Sequence, residues 1–277
     1  MSAHRHITAH YTRDDLLERL RAALIEDGVD PDHPDIEALA PYDHFHGRGL
    51  EATTEIADAL EVAPADQLLD IGSGLGGPAR YFAHRFGCRV SGIDLTEAFC
   101  EVARRLTQQL GLEDRVGFTH GNALAMPFAD ARFDGAYSMN VSMNIKDKSA
   151  LYREVARVLK RGAWLVFSEL LRGSGPEPDY PTPWARSAEA SFLSTLEDTQ
   201  RALEAAGFEL TETRITLQQG LAFGARSRAM VERGEKPPQR AVQLVHPEIA
   251  GAAAANTARG MADGRLVPVE IFARKPR

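Results

Sequence analysis

The chain has 277 residues, 44% of them hydrophobic, with a formal net charge of −7. That apolar fraction fills a sizeable core, so wholesale disorder is excluded, and the length allows one large α/β domain with a lid or two small domains. The acidic balance offers no basic face to nucleic acid, and no run approaches the ~20 apolar residues of a membrane span.

Met1 to Tyr11 is polar and His-rich, without the apolar core of a signal peptide, so a cytoplasmic location is the expectation. Asp14 to Asp27 carries apolar residues at helical spacing (Leu16, Leu17, Leu20, Ala23, Leu24), and Asp30 to Pro34 reads as a turn. Tyr42-Asp43-His44-Phe45-His46-Gly47-Arg48-Gly49 follows without helical or strand periodicity. Gly49 to Leu60 reads as a helix, and Gln67 to Ile71 as a strand running into Gly72-Ser73-Gly74-Leu75-Gly76-Gly77. Pro78 suits the first turn of the next helix, which ends near Gly87. A strand over Arg89 to Ile93 ends at Asp94; Thr96 then caps a helix to Leu110, closed by Gly111. Val116 to Thr119 and Phe133 to Met139 are strands, and Asp147 caps a helix over Lys148 to Lys160 that Gly162 ends. Ala163 to Leu170 is a fifth strand. The prolines 176, 178, 181 and 183 make a rigid connection, after which Ser194 and Glu197 form a capping box for a helix to Ala206. Leu210 to Leu217 and Arg265 to Ala273 are the last strands, separated by roughly fifty helical, Ala-rich residues that the core does not require. Within them Arg226, Arg228 and Arg233 are diluted by Glu232 and Glu235 and read as a solvated helix face. Both cysteines, Cys88 and Cys100, lie in apolar patterns and are expected to be buried free thiols.

Short apolar strands alternating with helices give a doubly wound, mostly parallel, Rossmann-like α/β sheet of seven strands, with N-terminal helices and a helical insertion before the last strand. Residues 1–62 are expected to form a helical cap and 63–277 the binding domain, with 172–195 and 218–264 as lid elements. Such sheets bind ligands at the strand carboxyl ends, where the topology switches.

Gly72, Gly74 and Gly77 satisfy G-x-G-x-x-G, and Asp94 lies 22 residues past Gly72, placed to take two ribose hydroxyls. NAD is therefore one candidate. S-adenosylmethionine (SAM) is favoured because Asp70, at the strand end, would repel a pyrophosphate but suits a cationic methionine. Asn122 and Ala123, after the third strand, could read an adenine edge.

Leu69-Asp70-Ile71-Gly72-Ser73-Gly74, Gly92-Ile93-Asp94-Leu95, Asn122 through Phe128, and Arg157-Val158-Leu159-Lys160-Arg161-Gly162 together resemble the class I SAM-dependent methyltransferases over about residues 66 to 170. Gly76-Gly77-Pro78-Ala79-Arg80-Tyr81 and Leu266 to Lys275 look most like the sarcosine/dimethylglycine N-methyltransferase group. The resemblance implies that Gly72, Ser73 and Gly74 cradle methionine, Asp94 holds ribose, with Leu95 beside it, and Asn122, where the family usually has Asp, takes the adenine amine. It also implies that the 42–49 stretch closes over the cofactor, bringing in Tyr42 and His46.

On the acceptor side, Asn140, Met143 and Asn144 follow the fourth strand, and Trp184 could line a pocket or fasten a lid. Asn140 is a candidate for both cofactor and catalytic contact; His46 is the nearby candidate base. The histidines show no metal-ligand spacing backed by a second cluster, so no metal is expected. The resulting expectation is methyl transfer to a small molecule, foremost the nitrogen of a small amine or amino acid. O- or C-methylation, an NAD-dependent oxidoreductase, and a SAM-binding protein that has lost transfer or runs a cyclisation are the alternatives. A homodimer is left open.

Overall fold

The structure is a computed structural model that describes residues 8, 10–13 and 15–277. The readings that rest on residues 1–7, on His4 and His6, and on Asp14 as a helix start lie outside the described residues.

Seven strands form one sheet: β1 (Gln67–Ile71), β2 (Arg89–Asp94), β3 (Val116–His120), β4 (Phe133–Met139), β5 (Leu159–Arg172), β6 (Glu209–Ile215) and β7 (Leu266–Arg274). Their order is β3-β2-β1-β4-β5-β7-β6, with β1 to β5 parallel and β7 antiparallel between β5 and β6. The chain winds outward from β1 to β3, then returns to lay β4 on the other side of β1. That reversal opens a crevice at the carboxyl ends of β1 and β4.

The helices are α1 (Leu16–Glu26), α2 (Ile36–Asp43), α3 (Leu50–Asp58), α4 (Gly77–Phe86), α5 (Glu97–Gln109), α6 (Lys148–Val158), α7 (Leu196–Ala205), α8 (Leu217–Glu232), α9 (Ala241–Val245) and α10 (Ala250–Ala262). In β1, Leu69 and Ile71 face one core with Tyr152 and Val155 of α6, while Leu68 faces another with Phe82 of α4 and Cys100 of α5. Alternate residues buried on opposite faces are what a strand covered by helices on both sides requires. Leu16, Leu20 and Leu24 repeat at the spacing of one helix face and pack with Phe99, Val102 and Leu106 of α5. Each such leucine, fully buried, contributes ~1.5–3 kcal/mol. Cys88 and Cys100 are buried free thiols.

Several local expectations change. The aperiodic-looking stretch from Tyr42 begins inside α2, which Asp35 caps by accepting from Ala38 N at 2.8 Å and which tolerates Pro41. α6 ends at Val158 rather than Lys160, because Leu159 already pairs with Phe133; Gly162 sits within β5 at φ +80° instead of ending a helix. The cap of α7 is Thr195, accepting from Asp198 N, rather than Ser194. Thr96 holds the cap position of α5 but its side chain makes no capping bond. Leu217 opens α8 instead of closing β6. Among the described residues no helix is long and apolar enough to cross a membrane.

Candidate active site

A cavity of about 840 Å³ lies over the crevice. Its floor is the turn after β1. Gly72 has φ +71°, and a Cβ there would lie 2.4 Å from Val141 Cγ2, so only glycine lets this turn meet the turn after β4. Gly77 lies equally close to the Asp43-His44 pair: a Cβ would come within 2.5 Å of both side chains. The turn itself is fixed from β2, where Asp94 accepts from Gly74 N at 2.9 Å and Thr96 N at 2.8 Å. One lone-pair direction on each carboxylate oxygen is left for further donors.

Asp70 is buried at the end of β1, and burial, with the Asp94 charge beside it, pushes its carboxyl up to about 8. Its Oδ2 and the Ser73 Oγ are buried without a hydrogen-bond partner. A buried acceptor with a destabilised charge calls for a cationic donor. The α-ammonium of SAM supplies one, so these residues fit the cofactor that the sequence suggests.

Arg80 of α4, 1% exposed, locks this floor to the rest of the chain. It donates to Leu75 O at 2.6 Å in the glycine turn, to Ala103 O and Thr107 Oγ1 of α5 at 3.1 Å each, and to Asp43 Oδ2 at 2.8 Å. Burial alone would raise the Asp43 carboxyl, but the His44 ring and the Arg80 guanidinium outweigh it and hold the group below its ordinary range.

The cavity is lined by Asp70, Gly72, Ser73, Gly74, Asp94, Leu95, Asn122, Ala123 and Asn140, and also by His46, Met143, Asn144 and Trp184, the residues the sequence reading associates with catalysis and the acceptor. Tyr42 is not among its lining residues. Only 4% exposed, it turns away, donating to Asp27 Oδ2 at 2.7 Å beneath the Arg240 guanidinium. Asn122 Oδ1 accepts from Leu124 N at 2.9 Å, an Asx-type turn that presents the segment after β3. Asn140 has φ +57°; both ends of its amide are satisfied when its nitrogen donates to Ser168 O (3.2 Å) and its oxygen accepts from Gly47 N (3.1 Å). It therefore ties β4 to the 44–49 loop. His46 is a poor base: burial, reinforced by His44, lowers it to about 3, and its Nε2 lies 3.1 Å from Thr53 Oγ1. Trp184 both lines the cavity and packs with Met143 and Leu170, donating through Nε1 to Ser191 Oγ at 2.9 Å.

Tyr11 and Glu169 line the cavity as well and escaped the sequence reading. Tyr11 donates to Asn144 Oδ1 at 3.4 Å from the N-terminal segment, where nothing local marks it. Glu169 of β5 is buried beside Ser168, which pairs with Met139. It accepts from Ser142 N at 3.1 Å and Val141 N at 3.3 Å; burial nevertheless pushes it up to about 7. An acid within the apolar run Ala163 to Leu171 is the signal that could have revealed it. Below it, burial lowers Lys148 to about 8, and Lys148 Nζ donates to Ser142 O, Ile145 O and Phe192 O at 2.6–2.7 Å, fixing the turn after β4.

The roof comes from α8, α10 and the segment between them, through Phe223, Val231, Val242 and Met261. Gln239 Nε2 donates to His46 O at 2.7 Å and Arg240 N to Pro41 O at 2.6 Å, joining the roof to the N-terminal helices. Three lysine and arginine side chains line the cavity. Lys146 and Arg228 are exposed, and buried Arg48 is held by Glu55 at 2.7 Å and Glu270 at 3.1 Å. Among the described residues no three His, Cys, Asp or Glu side chains converge as metal ligands would.

Residues 69–167 match the model of the methyltransferase domain family. "Methyltransferase GfsG" of Streptomyces halstedii is 30% identical over 206 residues, 72% of each chain. An "O-methyltransferase" of Pyrenophora dematioidea is 29% identical over 161 residues, 58% of this chain and 60% of that protein's length. Other relatives are named for methyl transfer to nitrogen or to carbon. Among solved structures, the [4+2]-cyclase SpnF superposes over 100% of this chain and 97% of its own with a TM-score of 0.73 at 22% identity, a likeness of fold.

Proposed function

Since the chain belongs to the class I SAM-dependent methyltransferases and acts on small molecules, we propose that its acceptor is a bulky, largely apolar, neutral molecule methylated on a hydroxyl oxygen. The observation that carries this reading is the acceptor half of the cavity. Met143, Trp184, Phe223, Val231, Val242 and Met261 give it a largely apolar lining beside the polar His46 and Asn144, and its one buried guanidinium, Arg48, is already neutralised by two carboxylates. A small amino acid brings a carboxylate, and the two cations left to meet it, Lys146 and Arg228, are exposed, so a carboxylate drawn into the buried part of the cavity would be desolvated without a partner. This departs from the small-amine expectation of the sequence.

SAM supplies a methyl group already activated by its sulfonium. What remains for the chain is alignment and water exclusion, and orientation of this kind is worth ~7–11 kcal/mol. We assign Asp70, Ser73 and the 72–74 backbone to the methionine end, Asp94 to the ribose, and Asn122 and Ala123 to the adenine. Asn140 braces the 44–49 loop over the reacting centre, and Glu169 receives the hydroxyl proton. Segments 172–195 and 218–264 cover the acceptor.

Replacing Asp94 with Ala removes hydrogen bonds to a charged acceptor worth ~1.5–3 kcal/mol each. SAM affinity measured by calorimetry should fall at least tenfold with the fold retained; unchanged affinity would place the ribose elsewhere. The acceptor class is tested on protein saturated with S-adenosylhomocysteine. There 2-naphthol should raise the melting temperature through linkage, and sarcosine and dimethylglycine should not. The reverse pattern would return the small-amine reading.

A further inference from the structure

A second cavity, of about 270 Å³, lies against α8 and α10. It shares Gly220, Gly224, Arg228, Ala258 and Met261 with the main cavity. On α8 these residues recur every fourth position, and on α10 at a three-residue step, so each set is one stripe along its helix. The two cavities therefore sit on one seam, divided by little more than glycine backbone and the Met261 thioether.

Of the glycines on α8 that the two cavities share, Gly220 is accounted for by the close approach of Met261, but Gly224 is not explained by the chain's own packing. A Cβ on Gly220 would meet Met261 Sδ at 3.2 Å, but one on Gly224 would meet nothing nearer than Arg228 Nη1 at 3.6 Å. A glycine inside a helix costs about 1 kcal/mol against alanine. α8 also has no buried residue over its 16 positions, with Val231 58% exposed, so it is not held as a core helix. At Gly224 the small-residue stripe borders space with only the Arg228 side chain near it, whereas at Gly220 it meets Met261.

We infer that the methyl acceptor is elongated, with its reactive hydroxyl near Glu169 and an apolar chain running through the α8–α10 seam, where Gly224 and Met261 set the length admitted. The occupant is assigned by adjacency: the second cavity shares its walls with the active-site cavity, and those shared walls are glycine, alanine and methionine with one exposed arginine. A flexible methionine suits a wall that must yield to a chain. This inference rests on the apolar-acceptor reading above.

The test uses 4-ethylphenol, 4-hexylphenol and 4-decylphenol, titrated into protein saturated with S-adenosylhomocysteine. For the wild type, affinity should rise with chain length, by up to about fourfold per buried methylene. Gly224→Leu, which also favours the helix, should weaken 4-decylphenol at least tenfold more than it weakens 4-ethylphenol. Ala262→Trp, which fills the second cavity from the other helix at a residue that does not line the active-site cavity, should reproduce that pattern, and Gly224→Ala should fall between. A chain-length series identical in the wild type and both bulky variants overturns the seam while leaving the apolar-acceptor reading intact. No binding of any alkylphenol to the wild type overturns the acceptor reading and the seam with it.

Discussion

With a hydroxylated acceptor, Glu169→Gln is expected to lower kcat by about 10²–10⁴-fold, the usual contribution of a positioned general base. Glu169 lines the cavity, and burial pushes its carboxyl up to about 7, closer to a hydroxyl's proton affinity than an ordinary carboxylate. The anion is the form that accepts the proton. In the wild type kcat should therefore climb with pH below about 7 and level above it, and the variant should lose that limb. SAM affinity should change little, because Gln keeps an oxygen to accept from Ser142 N, a bond Glu169 now makes at 3.1 Å. A variant within tenfold of wild type, with the same pH profile, would remove Glu169 as the base. An amine acceptor gives that result, since a neutral amine attacks without one.

Arg80→Met should destabilise the fold by ~3–5 kcal/mol, the range for breaking a buried ion pair from one side. The variant strands the Asp43 carboxylate, 3% exposed, and leaves Leu75 O, Ala103 O and Thr107 Oγ1 without their donor. Those acceptors belong to the glycine turn and α5, while Asp43 belongs to the N-terminal helices, so three parts of the chain loosen together. Chemical denaturation measures the loss. Asp43→Asn combined with Arg80→Met should recover part of it, because the double variant no longer buries a carboxylate that has lost its guanidinium and keeps only the His44 ring. A loss below 1 kcal/mol in the single variant would mean that water or neighbouring groups replace the guanidinium.

The parts of this molecule legible from sequence are those fixed by short-range chemistry. The glycine turn, Asp94 at the end of β2, the Asp147 cap and the left-handed Gly87 after α4 each declare themselves within a few residues. What escaped depends on partners far along the chain. Nothing near Tyr42 indicates that its hydroxyl is taken by Asp27. α2 is short and contains Pro41, which reads locally as a break. Its end is held by Asp43 bonding to Arg80, 37 positions away. The helical segment before β7 was visible, but a single helix carries no record of which side chain faces it, so the seam between α8 and α10 emerges only when both are in place. Glu169 is the instructive case: the acid stood in plain view within an apolar strand, and its cost of burial was itself the signal of use.

The most direct measurement is the fate of the methyl carbon. Protein incubated with SAM labelled with ¹³C in its methyl group is offered equal amounts of 4-hexylphenol, 2-naphthol, sarcosine and dimethylglycine, and the products are resolved by mass spectrometry and NMR. The label should appear on the phenolic oxygens and on neither amino acid. Label on the nitrogen of sarcosine or dimethylglycine, with the phenols untouched, would contradict the assignment of an apolar hydroxyl acceptor.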